Sequence, residues 1–205
     1  MQTGEKLNTI THLGGALLAF GASIPLLARA FDGNGHLGLA STAVYAASLI
    51  LMYACSTAYH GSSGALKALL QRFDHLSIYL LIAGSYTPFC MLMLHGSAGW
   101  ILLGVVWGLA IVGILQETRP RSGARVLSML VYLAMGWSAA TMIQPLHEGL
   151  GAAGFAWLLG GGLAYTLGIV FYLLDARLRH AHGIWHLFVL AGSAAHYITI
   201  YFYVL

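Results

Sequence analysis

Four ionisable residues on otherwise apolar segments carry the chemistry this chain could do: His60, Asp74, His182 and His186. Such groups are costly to keep away from water inside a bilayer and mark functional positions there. His182 and His186 are four apart, so on a helix both rings leave the same face one turn from each other. That spacing suits a shared metal ion, with His60 as a third imidazole and water in the open position of a tetrahedral, catalytic-type zinc site. Zinc is favoured because imidazole is a borderline ligand and no CxxC pair is present; iron, nickel and copper remain compatible with the same donors. Asp74 is either a further ligand or, preferably, the carboxylate that holds the metal's water and acts as general base. Ser56, one turn before His60, can hydrogen-bond a ligand, the water or a substrate carbonyl from the same face.

The elements that must position these residues are membrane helices. The 205 residues are 59% hydrophobic and only 7% charged, against about a quarter charged in soluble domains. Seven apolar segments, near 10–30, 37–60, 73–94, 98–116, 126–145, 153–174 and 183–205, each approach the ~20 residues that span a hydrocarbon core. They are continuous rather than alternating, which predicts helices, and helices satisfy their own backbone groups in lipid. The expectation is a single all-α domain over residues 1–205, a seven-transmembrane helix bundle. The first segment reads as a retained helix rather than a cleaved signal. Connections are expected at Asp32–Gly35, Gly61–Gly64, His95–Ser97 and Arg119–Gly123, with kinks possible at Pro25 and Pro88. Gly104 and Gly108, and the run Gly160–Gly162, are expected to allow close helix approach.

Orientation follows from the basic residues. With seven helices, one side holds Lys6, Lys67, Arg72, Arg119, Arg121, Arg125, Arg177 and Arg179, and the other only Arg29. Basic excess marks the cytoplasmic side, so the N-terminus is expected inside and the C-terminus outside. His60, Asp74 and His182 then fall at one inner level, with His186 about 6 Å deeper. The net charge of +3 comes from these segment ends and does not make a nucleic-acid surface.

Each member of the set also has a plain structural reading. A histidine pair four apart is about as often structural, and Asp74 could pair with Arg72 or Arg179. The joint placement favours the metal. His36, His75, His95, His147 and His180 are read as interfacial polar residues, and Cys55 and Cys90 as small apolar side chains. Tyr197, Tyr201 and Tyr203 are read as an outer aromatic belt. His12 stays open as an accessory residue. His196, about 15 Å beyond His186, is read as a hydrogen-bonded core histidine, with a substrate or proton role as the alternative.

Asn8-x-x-Thr-His12, Ser56-x-x-x-His60, Phe73-Asp74-His75, Gly84-Ser-Tyr-Thr-Pro-Phe89 and His182-x-x-x-His186 with His196 occur in this order along nearly the whole chain. In these pieces the sequence resembles the bacterial hemolysin III family, and more broadly the progestin and adipoQ receptors and the alkaline ceramidases. The resemblance implies seven helices in the inner (plasma) membrane. It implies zinc held by His60, His182 and His186, with Asp74 reaching the metal through water and Ser56 beside it. It also implies metal-dependent hydrolysis of lipid amides, with membrane lipids as partners.

Three functions are carried forward. The first is a zinc-dependent hydrolase acting on a lipid amide or ester. The second is a lipid-sensing or signalling protein with a structural zinc. The third, a pore-forming cytolysin, is disfavoured because no ring of charges suits a channel. A retinal protein is excluded: Lys6 and Lys67 are the only lysines, and neither lies in the last helix. An ion pump would need mid-membrane carboxylates, whereas Glu5, Asp32, Glu117, Glu148 and Asp175 read as terminal or loop residues.

Overall fold

The computed structural model describes residues 4–94, 96–118 and 126–205; the expected connections at His95 and across 119–125 lie partly or wholly outside them. The described residues are helical with no strand. In chain order they form α1 (Lys6–Gly61), α2 (Gly64–Pro88), α3 (Ser97–Glu117), α4 (Val126–Trp137), α5 (Ile143–Leu173) and α6 (Ala181–Thr199). Wide helical turns extend α2 through Met93 and α6 through Val204, and a tight turn, Ser138–Met142, joins α4 to α5. Five continuous helical stretches are long and apolar enough to cross a membrane.

Two of the five are much longer than one crossing. A straight helix of 56 residues would be about 84 Å long, nearly three hydrocarbon thicknesses. α1 instead reverses at Gly35, whose φ of 57° and ψ of −143° are open to glycine and costly for other residues. The reversal brings Glu5 and His60, at opposite ends of α1, to 2.5 Å. It is so tight that a Cβ on Gly38 would sit 2.3 Å from the Ala30 carbonyl oxygen. Val126–Leu173 reverses likewise at Gly151, φ 64°. Across that turn the Trp137 indole N–H donates to Thr166 Oγ1 at 3.1 Å.

The structure departs from the sequence expectation at the start of α2 and at the glycines of α3. α2 begins at Gly64, well before residue 73, because Ala65–Gln71 are good helix formers and only Ser62 and Ser63 interrupt the chain. Asp74 is therefore on the third turn of α2. Helical backbone angles continue through Pro25, and α1 breaks at Gly35. Gly104 and Gly108 face open space, since α3 turns Gly99, Val106, Ala110 and Gly113 inward; Gly113 accepts the Tyr79 ring instead.

The burial pattern is that of a bundle in lipid. Ile10, Leu18, Ile24 and Ile101 are each more than 60% exposed, while Asn8, His12, Ser56, His60, Asp74 and His186 are buried. In water such an apolar exterior would be an aggregation surface; in a bilayer it is the solvated side. The chain is accordingly a membrane protein by architecture. Its interior is close-packed through glycines: Gly15 lies against Tyr53, Gly84 against Ser48 and Gly183 against Leu7.

Candidate metal centre

Two elements deliver the histidines. His60 ends the second arm of α1, and His182 and His186 occupy the first two turns of α6. The three rings form a near-equilateral triangle, with centroids 4.9 Å apart on every side. One ring nitrogen of each lies within 4.8 Å of the other two. His60 and His186 are buried, and the His182 side chain is 16% exposed.

The hydrogen bonds fix which nitrogen is free. His60 Nδ1–H donates to Glu5 Oε2 at 2.5 Å. His182 Nδ1–H donates to Asp175 Oδ2 at 3.1 Å. His186 Nδ1–H donates to the Asn8 carbonyl at 3.2 Å, with Thr11 Oγ1 at 3.3 Å. Carboxylates and carbonyls only accept, so all three rings carry the proton on Nδ1 and present a bare Nε2. Each of those three Nε2 atoms is buried without a hydrogen-bond partner. An unmatched buried acceptor costs about 1–3 kcal/mol, so gathering three is unfavourable unless a ligand takes the lone pairs. Histidines anchored through one nitrogen and converging with the other are the arrangement of metal sites. The donor set fits a divalent ion of the zinc class.

Glu5 stands outside the helices, and its surroundings keep it ionised. Burial resists the charge, but hydrogen bonds from Lys67, Asn8 and His60 outweigh it and hold the carboxyl at about 2, below its ordinary 4.5.

The remaining predicted residues stand around a cavity of about 230 Å³ at the heart of the bundle. His12, Ser56 and Asp74 border it, as does His196 farther along α6. His12 is the link to the triangle: its ring stacks on His186 at 3.5 Å between centroids, 8° from parallel. Both His12 nitrogens are buried without hydrogen-bond partners; the His186 backbone lies close by but outside hydrogen-bonding geometry. His196 Nε2 is likewise buried without a hydrogen-bond partner. Trp137, Ile143 and Leu159 line the same cavity while being 41%, 57% and 41% exposed, so it meets the outer surface between the arms that flank Gly151.

Sequence reasoning missed Glu5, Asp175 and Lys67, taking the two carboxylates for terminal or loop residues. Glu5 had a signal: it is three residues before Asn8, on the same side of the first turn, and accepts from Asn8 Nδ2 at 2.9 Å. Asp175 had none, because a turn with His180 at φ 65° brings it to His182. His75 is buried, and Tyr201 lies under Arg29 at 5.0 Å. Cys55 and Cys90 are free thiols, Cys90 buried and Cys55 half-buried.

The chain matches the model of a family described as haemolysin-III related over residues 2–197. Hemolysin-3 of Bacillus cereus is 41% identical over 202 residues, 98% of this chain and 92% of its own length. The hemolysin-3 homolog of Bacillus subtilis (strain 168) is 38% identical over 200 residues, 97% of this chain and 93% of its own. The human monocyte to macrophage differentiation factor is 31% identical over 167 residues, 78% of this chain and 68% of its own.

Proposed function

This chain belongs to the haemolysin-III related family, and on that premise we propose that it is a seven-span protein of the bacterial inner membrane that hydrolyses a lipid amide or ester at a zinc ion held by His60, His182 and His186. The observation that carries the reading is the triangle of imidazoles, each anchored at Nδ1 and bare at a buried Nε2. Bound there, zinc would polarise a carbonyl and activate water near neutral pH.

The chain's own groups supply the rest. A lipid enters from the bilayer past Trp137, Ile143 and Leu159, and its hydrocarbon lies in the cavity. Ser56 and His12 meet the polar head at the inner end, Ser56 donating to the carbonyl. Asp74 takes the proton of the attacking water as oxygen joins the carbonyl carbon. It returns that proton to the leaving nitrogen or oxygen as the old bond breaks. Asp74 is only 5% exposed and borders the cavity, so this exchange is shielded from bulk solvent.

Metal analysis and turnover of purified variants test the proposal, with a lipidomic comparison of wild-type and His60→Ala cells to find the substrate. His186→Ala should lose both zinc and hydrolysis. Asp74→Asn should keep zinc and lose about 100-fold or more in turnover, the scale of general-base catalysis. Turnover persisting in a folded, metal-free variant would eliminate the mechanism. Stoichiometric zinc with no turnover of amide or ester lipids would leave the ion a structural role in a lipid sensor.

A further inference from the structure

We infer that Glu5 is a positioning residue for the metal centre, and that Lys67 acts on the centre through it. The inference rests on the proposed zinc site. Glu5 precedes α1, His60 ends it and Lys67 lies in the first turns of α2, so one carboxylate ties three separate pieces of chain together. Its two oxygens are divided between them. Oε2 accepts from His60 Nδ1 at 2.5 Å and from Asn8 Nδ2 at 2.9 Å. Oε1 accepts from Lys67 Nζ at 3.0 Å. Lys67 is itself held by the Tyr59 carbonyl at 3.2 Å and sits 4.3 Å from the centre of the Tyr59 ring. With Lys67 removed, Oε1 loses the contact that sets the plane of the carboxylate.

The other two anchors are weaker or indifferent to side chains. Asp175 makes one longer bond and its side chain is 49% exposed, and His186 is held mainly by the Asn8 backbone. His60 is thus the ligand whose tautomer and ring angle depend on a half-buried, charged side-chain network. Partners of this kind raise ligand basicity and hold the ring on the metal; their loss costs about 10–100-fold in metal affinity.

The test is zinc affinity by chelator competition on the purified full chain. Wild type is measured against Glu5→Ala, Glu5→Gln, Lys67→Met and the Glu5→Ala/Lys67→Met pair, with cobalt absorption as a readout of ligand geometry. Glu5→Ala should weaken binding about 10–100-fold. Glu5→Gln, which keeps an acceptor without the charge, should fall between it and wild type. Lys67→Met should cost about twofold to fivefold alone and nothing further in the Glu5→Ala background. The carbon-13 shift of His60 Cδ2 should report the Nδ1–H tautomer in wild type and a mixed population in Glu5→Gln; this keeps the test alive if Glu5→Ala does not fold. Wild-type affinity in Glu5→Ala, or an undiminished Lys67→Met effect in its background, would overturn the inference while leaving the metal centre standing. A wild-type protein that binds no zinc would remove the centre itself.

Discussion

At the scale of single residues, the question at this site is which imidazoles bind metal and which face the ligand. His12 is the discriminating case. It is as buried as His60 and touches His186, yet it stacks nearly parallel on that ring, so its nitrogens run alongside those of His186 instead of converging with them. His12→Phe preserves an aromatic ring for the stack and deletes both nitrogens. Purified His12→Phe should therefore hold one zinc per chain like wild type, as measured by metal analysis, while hydrolysis falls at least about tenfold through the lost contact to the head group. A loss of zinc would make His12 a fourth ligand. The histidine triangle was legible in the sequence because polar residues stood out against apolar segments, and because His182 and His186 share a helix face. The groups that aim those rings were not legible. Glu5 reaches His60 across 55 positions and Asp175 reaches His182 through an irregular turn, and neither relation has a period to read.

At the scale of elements, two glycine reversals decide whether the site can form. The apolar pattern made the helices and their approximate centres plain. It could not reveal that the chain turns back at one residue while remaining helical on both sides, because Asp32–Gly35 looks like a longer loop. The α1 reversal aligns residues 6–34 with 36–61, which is what brings Glu5 to His60. Gly38 sits at the closest approach, where an added Cβ would meet the Ala30 carbonyl oxygen at 2.3 Å and the Asn34 side chain at 2.6 Å. Backbone cannot move aside as a flexible side chain does. Gly38→Ala should destabilise the protein by roughly 2–4 kcal/mol, the range of overpacked or strained core sites. Gly104→Ala is the control: nothing lies within 4 Å, and a helix-favouring methyl should be neutral or stabilising by up to about 1 kcal/mol. Thermal unfolding in one detergent would rank the two; equal melting temperatures would show that the α1 turn tolerates a wider angle. Tyr86, two residues before Pro88, ties α2 to the end of α4. The Tyr86 hydroxyl lies 2.8 Å and 2.7 Å from the Met135 and Gly136 carbonyls and accepts from Ala139 N–H at 2.9 Å, satisfying groups freed where α4 gives way to its tight turn.

At the scale of the whole molecule, the contacts sort the chain between two ends of the bundle. Glu5, His60, Lys67 and His182 gather at one end. Arg29 meets Tyr201, and Gly33 lies against the backbone of Leu205, at the other. In the proposed topology the two termini therefore fall on opposite ends, with an odd number of crossings. Five apolar stretches, two of them doubled back at glycine, support the seven spans proposed. The proposed direction comes from charge: under a seven-span topology eight of the nine basic residues fall in helix ends or loops on the histidine side, and a basic excess marks the cytoplasmic side. The zinc site would sit beneath the inner leaflet's head groups, open to cytoplasmic metal, with its cavity reaching into the bilayer. Single cysteines placed in a chain whose Cys55 and Cys90 are replaced by alanine test this directly. Asn34→Cys, at the exposed α1 turn, should react with a membrane-impermeant maleimide added to intact spheroplasts. Ser63→Cys, exposed between α1 and α2, should react only after the membrane is opened. Labelling of both from outside would break the odd-crossing topology at α1, and the reversed pattern would put the histidine triangle on the outer face, where the basic-loop argument places only Arg29.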